Sequence, residues 1–551
     1  MKLNVRFVFL KIITVTGALL CTVAFSSAEN LASLEEGSRG RVQVEVADLV
    51  ENRRNDAVRL SLKLALGIAL ENNLSIQIEK IKIPLSEKVT AEKEARFDPA
   101  FFGEALNRRY EQQASSALIG TPVLKENQQH AKVGVRKLFR CGLEAESYIE
   151  SSRYRNNSAF EGLDPQYKNL FVLTLRQPLL ENLGSGINTS DIKIAQNDIE
   201  IAKNIFRSQV IATLGKVEKA YYDLSNAQSV LALREESFDL AKTLLADNQK
   251  RFAAGMTHIG EVQEAETAVA SREEQLIHAQ QTVKDLTTIL KNILQIQPHS
   301  PLYPLMIKTE EPLPDDQEIP THGESLAAAL VNRPDYSLKK TEVGNKDILV
   351  NYRKNQLLPR LDLVGALGLN GLSGKSELIS FAGESGKNPY GGSVNDSWDY
   401  LLDGEGYEWS VGLMLEIPLG NRADRSRYDQ SLLDKNRSLL QLKHLEDAID
   451  MEIRLALEAI RSSNDRIEVA ERFVRLARIT LDQEEERLKA GLSNTFRVLN
   501  FQDDFIEANI RKVNALVDYK KAVAHLYEAM GTNLDRHDMY VSYQDKARAV
   551  Q

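Results

Sequence analysis

Beyond Pro418 no proline occurs as far as Gln551, and between Asn421 and Ala490 there is no glycine either. Proline removes a helix donor and clashes with the preceding turn, and glycine weakens a helix interior. A stretch this long without either is written for one continuous helix. Gly491, in "RLKAGLSNT", then interrupts it. The first half carries the same device, "RFAAGMTHI", with Gly255 closing a run that starts near Asn188. Two very long helices are therefore expected, over about 188–254 and 421–490, each roughly 100 Å at 1.5 Å per residue. In the first, Ile192, Ala195, Ile199, Ala202, Phe206, Val210, Leu214, Val217, Tyr221 and Leu224 recur at three- and four-residue steps. That is the seam of a helix packed lengthwise against neighbours, and a soluble coiled-coil rod would show the same period.

The chain also repeats itself. "IALENNLSIQIEK" (Ile68–Lys80) aligns without gaps on "AALVNRPDYSLKK" (Ala328–Lys340), and the same register carries Pro99 onto Pro359. Further on, "LTLRQPLL" (Leu173–Leu180) pairs with "LMLEIPLG" (Leu413–Gly420), and "RFAAG" with "RLKAG". Landmarks recurring in one order mark a duplicated unit. Between the halves, residues 298–323 are rich in proline and acidic residues and read as a connector. The expected organisation is an export signal over 1–28, an N-terminal segment over 29–57 and a first repeat over 58–297. The connector, a second repeat over 324–531 and a tail over 532–551 follow.

Shorter helices are expected over about 60–96 and 261–296, which laid end to end match one long helix in length. Each half would then pack one long helix against two short ones, and the chain must reverse at one end. Gly255 and Gly491 stand at that reversal, where glycine tolerates the positive φ of a helix C-cap.

Three segments alternate at the period of a strand. In "WSVGLMLEIP", Trp409, Val411, Leu413, Leu415 and Ile417 face one way and Ser410, Gly412, Met414 and Glu416 the other. "FVLTLRQP" sets Phe171, Leu173 and Leu175 against Val172, Thr174 and Arg176. "RLDLVGALGLN" sets Leu361, Leu363, Leu367 and Leu369 against Asp362, Val364, Ala366, Gly368 and Asn370. Strands of about ten residues, apolar on one face and polar or small on the other, suit an outer-membrane β-barrel, although soluble sandwiches alternate too. A few strands per chain cannot enclose a pore, so several chains would have to contribute. Trp398, Tyr400, Tyr407 and Trp409 cluster near one end of the last strand as an interfacial girdle would. Arg176 and Glu416 occupy equivalent places two residues before each Pro turn, free to pair with each other or to be separately solvated. Residues 130–154 look like a further hairpin around "FRCG" with no counterpart in the second half, inside the barrel or outside it.

Composition excludes several classes. A net charge of −9 and no basic cluster argue against nucleic acid. Lys2, Arg6 and Lys11 precede the apolar Ile12–Phe25 and the small "SSA", the layout of an export signal, and no later apolar run is long enough for a membrane helix. Cleavage after Ala28 would leave Cys141 alone, without an intrachain disulfide partner. The histidines have no paired ligand spacing, so no metal is expected, and no nucleophile–base set stands out. "GLSGKS" (Gly371–Ser376) lacks the first glycine of a phosphate loop and reads as an extracellular loop. The carboxylates of "DQEEERLKAG" read as a solvated helix face.

The export signal, the duplicated helix–strand unit and the paired glycine turns together resemble the TolC-like outer-membrane efflux proteins. The resemblance runs from about Val58 to Gly531 and is carried by "RFAAGMTHIGEVQEA", "RLKAGLSNTFRVLNF" and the "QPLL" and "IPLG" turns in order. It implies a mainly α fold with a membrane β-barrel portion. A long periplasmic α-helical barrel would stand beside strands given to a barrel shared by a homotrimer in the bacterial outer membrane. Implied partners are a periplasmic membrane-fusion adaptor, an inner-membrane transporter and outer-membrane lipid, with no cofactor and no enzymatic role. By the same resemblance Gly255, Met256, Thr257, Gly491, Leu492 and Ser493 contact the adaptor. Glu261 holds an acidic constriction place whose counterparts here, Arg497 and Asn500, carry no carboxylate; three copies of each would give a mixed-charge ring, or Glu261 and Arg497 would pair on the helix surface. The function implied is a passive exit duct for small-molecule efflux or protein secretion. A periplasmic coiled-coil scaffold without a pore is the alternative.

Overall fold

A computed structural model describes residues 57–114, 119–158, 161–300, 303–310, 318–376, 378–381 and 384–539. The expected export signal, nearly all of the N-terminal segment, part of the connector and the tail from 540 lie outside these residues. The chain divides into a strand-bearing unit, Glu87–Asn197 with Gly344–Asn436, and a helical unit comprising 57–86, Asp198–Val343 and 437–539.

The elements follow the duplication. The first half runs β1 (Ala57–Leu60), α1 (Leu62–Asn72), α2 (Leu74–Glu94), β2 (Ala100–Gln113), β3 (Val123–Leu138), β4 (Glu144–Asn156), β5 (Leu163–Pro178), α3 (Ser190–Ala253) and α4 (Ile259–Ile293). The connector contributes β6 (Met306–Thr309). The second half runs α5 (His322–Asn332), α6 (Pro334–Asn355), β7 (Arg360–Ser376), α7 (Val394–Asp403), β8 (Gly406–Glu416), α8 (Arg422–Lys489) and α9 (Thr495–Met530). The long helices α3 and α8 are unbroken over 64 and 68 residues.

The helix expected over 60–96 is two helices. Asn73 between α1 and α2 is extended, and its Oδ1 accepts the amides of Ser75 and Ile76, so the side chain starts a new helix where the first one stops. Arg333 breaks the second half at the matching place, because a residue before proline is kept out of the helical region.

In the helical unit the seam of α3 is buried as its period required: Val210, Leu214, Val217 and Leu224 are fully enclosed, together with residues of α1, α4, β1 and β6. A second cluster joins Ala329 of α5 to Ile449, Ile453 and Ile460 of α8 and Val523 and Leu526 of α9. Each long helix thus packs against shorter helices of its own half, and the α3 cluster also takes in Val517 and Ala524 of α9. The connector is not a bare linker: β6 pairs in parallel with β1, and Gln228 donates to the Ile307 carbonyl.

In the strand-bearing unit six strands form one antiparallel sheet in the order β8-β7-β5-β4-β3-β2. The hairpin around "FRCG" is β3–β4, so it adds two strands to the sheet, and Cys141 sits exposed beside its turn. The first repeat gives four strands to this sheet and the second gives two. Gly371–Ser376, expected as a loop, continues β7, because β5 pairs with it from Asn169 to Gln166 and again, past a bulge, at Leu163.

Candidate functional site

The two helix reversals are built alike to the level of single hydrogen bonds. At the first, the Gly255 amide donates to the Phe252 carbonyl and the Met256 amide to that of Arg251, both at 2.9 Å. At the second, Gly491 donates to Leu488 at 3.1 Å and Leu492 to Arg487 at 2.8 Å. This pair of bonds closes a helix through a left-handed residue, and φ is 72° at Gly255 and 74° at Gly491. A Cβ on either glycine would meet nothing within 4 Å. Backbone conformation, not crowding within the chain, therefore demands glycine here.

Apolar side chains crown both turns. Met256 is 72% exposed and Leu492 70%, at equivalent positions, with Phe252, Ile259 and Phe496 also exposed nearby. Thr257 and Ser493 follow, half-buried. Below them a groove of about 540 Å³ is lined by Leu240, Leu244, Arg251, Met256, Leu488 and Val498.

Polar contacts lock the two tips together. Asn248 Nδ2 donates to Thr495 Oγ1 at 2.9 Å and to the Glu261 carbonyl, and Thr495 Oγ1 donates to Glu261 Oε2 at 2.9 Å. Arg251 reaches the Leu488 carbonyl. Glu261 and Arg497 therefore do not pair with each other. Glu261 is held by Thr495, and Arg497 Nε lies 3.0 Å from Glu484, which also accepts from Ser493. Asn500 is exposed. Glu484 corrects the reading of "DQEEERLKAG" as wholly solvated, since it is 4% exposed between Leu481 and Leu488 on the packed face of α8. Its spacing from those leucines was the available signal. Arg272 was also missed. It is buried and donates to the carbonyls of Ser237 and Leu499 and to Gln502 and Asp503, tying α4 to α3 and α9.

Toward the Pro turns the sheet has two chemically opposite faces, fixed by register. Phe171 stands opposite Leu369 and Ile149, Leu173 opposite Leu367, and Trp409, Val411 and Leu413 continue this face on β8. Val411 and Leu413 are 68% and 67% exposed. The other face carries a row of charges near the Pro turns. Arg176 Nε donates to Asp362 at 2.9 Å and approaches Glu144, Arg360 Nε donates to the same Asp362 at 3.1 Å, and Arg360 also approaches Glu416. Arg176 and Glu416 thus neither pair with each other nor stand alone: Asp362 and Arg360 lie between them. Charges cannot face hydrocarbon unpaired, whereas exposed Trp, Val and Leu can. The Pro turns themselves are clamped by the end of α6 and the residues just after it. Asn355 accepts the Asn182 amide, Gln356 donates to Asn182, and Asn421 donates to the Leu357 carbonyl.

The sequence profile described as "Outer membrane efflux protein" matches residues 142–294 and 326–532, one stretch in each repeat. The chain is 23% identical over 359 residues, 64% of its length and 71% of the relative's, to the outer membrane efflux protein BepC of Brucella suis biovar 1 (strain 1330). Among solved structures it is similar to the CmeC outer membrane channel of Campylobacter jejuni, with TM-score 0.59, 16% identity and 86% of each chain covered. It is also similar to the outer membrane protein VceC of Vibrio cholerae, with TM-score 0.59, 15% identity, and 85% of this chain and 96% of that one covered.

Proposed function

Because the chain belongs to the outer membrane efflux protein family, we propose that it is the passive exit duct of a tripartite efflux pump or a type I secretion system. The protein resides in the outer membrane with its helical part periplasmic. In this reading an inner-membrane transporter supplies the energy, and a periplasmic adaptor docks on the helix reversals. The observation that carries the docking role is the matched pair Met256 and Leu492, large apolar side chains left in water on two turns of identical geometry. Glycine alone would not carry it, since the left-handed turn already requires Gly255 and Gly491. Thr257 and Ser493 complete the contact.

The edge strands β2 and β8 each pair on one side only among the described residues, which supports assembly with further copies of the chain. A homotrimer of six-stranded sheets closes a barrel of eighteen strands, a size that leaves an aqueous channel. The apolar sheet face meets outer-membrane lipid and the charged face lines the channel. Glu261, Arg497 and Asn500, each present three times, form a polar constriction near the tips, and no chemistry is performed on the cargo.

The test is complementation of a deletion strain by Met256→Asp, Leu492→Asp and the double variant. Export should fall in each single variant and vanish in the double, with the protein still assembled in the outer membrane. Full export by the double variant would remove the docking role from these tips.

A further inference from the structure

Helix α7 interrupts the second repeat between β7 and β8, and it lies on the apolar face of the sheet. The contacts fix this side. Leu401 packs with Phe171, Leu369 and Leu173. Asn169 Nδ2 donates to Ser397 Oγ at 2.6 Å, and a Cβ on Gly371 would collide with the Ser397 carbonyl. Asn169, Phe171, Leu369 and Gly371 all share the face of Leu367 and Trp409 by register. The helix sits at the end of the sheet remote from the Pro turns, where the loops between β4 and β5 and between β7 and β8 lie.

Around the helix the side chains sort into arcs. Ser397 and Leu401 meet the sheet and are buried. At about 100° per residue, Trp398 and Leu402 form a neighbouring apolar stripe, Val394 at its upper end borders a groove lined by Asn107, Gln129 and Arg153 of the sheet, and Asp399 and Asp403 fall opposite the sheet. Val394 and Leu402 are each 39% exposed. Tyr390 stacks edge-on against Tyr400, and Tyr407 and Trp409, each 68% exposed, stand on the adjoining strand. Below Trp409 the same face continues as Val411, Leu413 and Leu415, with Ile417 just past the strand's end: about 27 Å along the chain at 3.4 Å per residue, or about 21 Å of height at about 40° tilt, most of a barrel's lipid-facing band of about 25 Å. Trp409 therefore stands at the edge of that band, and α7 beside it.

We propose that α7 is a membrane anchor that descends along the sheet from Ser373 towards Leu369, and that its Trp398–Leu402 end enters the outer leaflet at the headgroup–acyl boundary. The partner is bilayer lipid, and the argument for it is continuity: the stripe extends the apolar face of the sheet, and its aromatic neighbours are of the kind that favour the interface. This rests on the reading that the apolar face meets lipid. Ordinary barrel loops leave the wall at the membrane edge. Here the loop returns along the outer wall and widens the apolar surface at the outer leaflet, fixing the depth of the barrel.

The chain has only two tryptophans, one on the helix and one on the strand, which makes the test direct. Trp409→Phe leaves Trp398 as the sole reporter, and Trp398→Phe leaves Trp409. Each full-length variant is reconstituted in phosphatidylcholine vesicles containing brominated phosphatidylcholine, and emission is compared with and without aqueous iodide. Trp398 should lose most of its emission to bromines high on the acyl chains, less to deep ones, and little to iodide. Quenching of Trp398 by iodide alone, or by neither agent, would overturn the anchor in favour of a solvated helix or a contact between subunits. Trp409 separates the two levels of argument: if bromolipid fails to quench it as well, the lipid-facing assignment itself falls.

Discussion

Arg272 donates four hydrogen bonds from a buried position, two of them to carbonyls on different helices. Arg272→Ala strands the buried Gln502 and should destabilise the helical unit by about 2 kcal/mol or more, read by denaturant unfolding. Arg272→Lys should not restore it, because one ammonium cannot reproduce the planar fork. Gly491→Ala meets no atoms but forces a left-handed alanine, at a cost of about 1 kcal/mol. His525 supplies a pH dependence. The Glu528 carboxylate, 3.7 Å away, raises its pKa despite partial burial. The stability it adds is therefore present below the unfolded value of about 6.5 and is lost as pH rises through the higher folded value. His525→Gln should flatten the fall in unfolding midpoint as pH rises above about 6.5. At this scale the sequence was legible where side-chain type and period agree, as along the α3 seam. Glu484 and Arg272 were not legible, because a charge on a packed face is recognised only by the partners that fold around it.

Among the elements, β3–β4 is the addition that distinguishes the first repeat from the second. Val133 and Ile149 are cross-strand neighbours, and such pairs lie about 4.5–5.5 Å apart at Cα, within reach of a disulfide. In a Cys141→Ser background, Val133→Cys with Ile149→Cys should oxidise to an intrachain bond, seen as a mobility shift that reductant reverses. No bond would mean that β3 and β4 do not pair in this register. Strands with strict alternation, β8 above all, could be read directly. Strand β2, "AFFGEALNRRYEQQ", could not, because its outer half is polar on both faces and carries no period. The length of β7 was underestimated for a related reason: Gly371–Ser376 looks like a loop by composition and becomes strand only because β5 offers it a partner.

For the whole molecule, strand number sets the size of the assembly. Eighteen strands at about 4.8 Å spacing and about 40° tilt give a barrel about 36 Å across, against about 24 Å for twelve. Top views of detergent-extracted particles by electron microscopy should give the larger figure with threefold symmetry. The smaller one would mean that the hairpin does not join the shared wall. A water-soluble protein that never requires detergent would contradict the apolar face of the sheet altogether.

The sequence by itself determined the duplication, the two long helices, their glycine reversals and the apolar side of the strands. Each of these is local: helix continuity depends on the absence of breakers, a left-handed turn on glycine, and strand sidedness on alternation. Tertiary structure decided that six strands share one sheet, that α7 lies on its apolar face, that Asp362 stands between Arg176 and Arg360, and that Thr495 rather than Arg497 holds Glu261. Those outcomes depend on which distant segments meet. Hydrogen bonds and ion pairs between residues far apart in sequence leave no period in either of them.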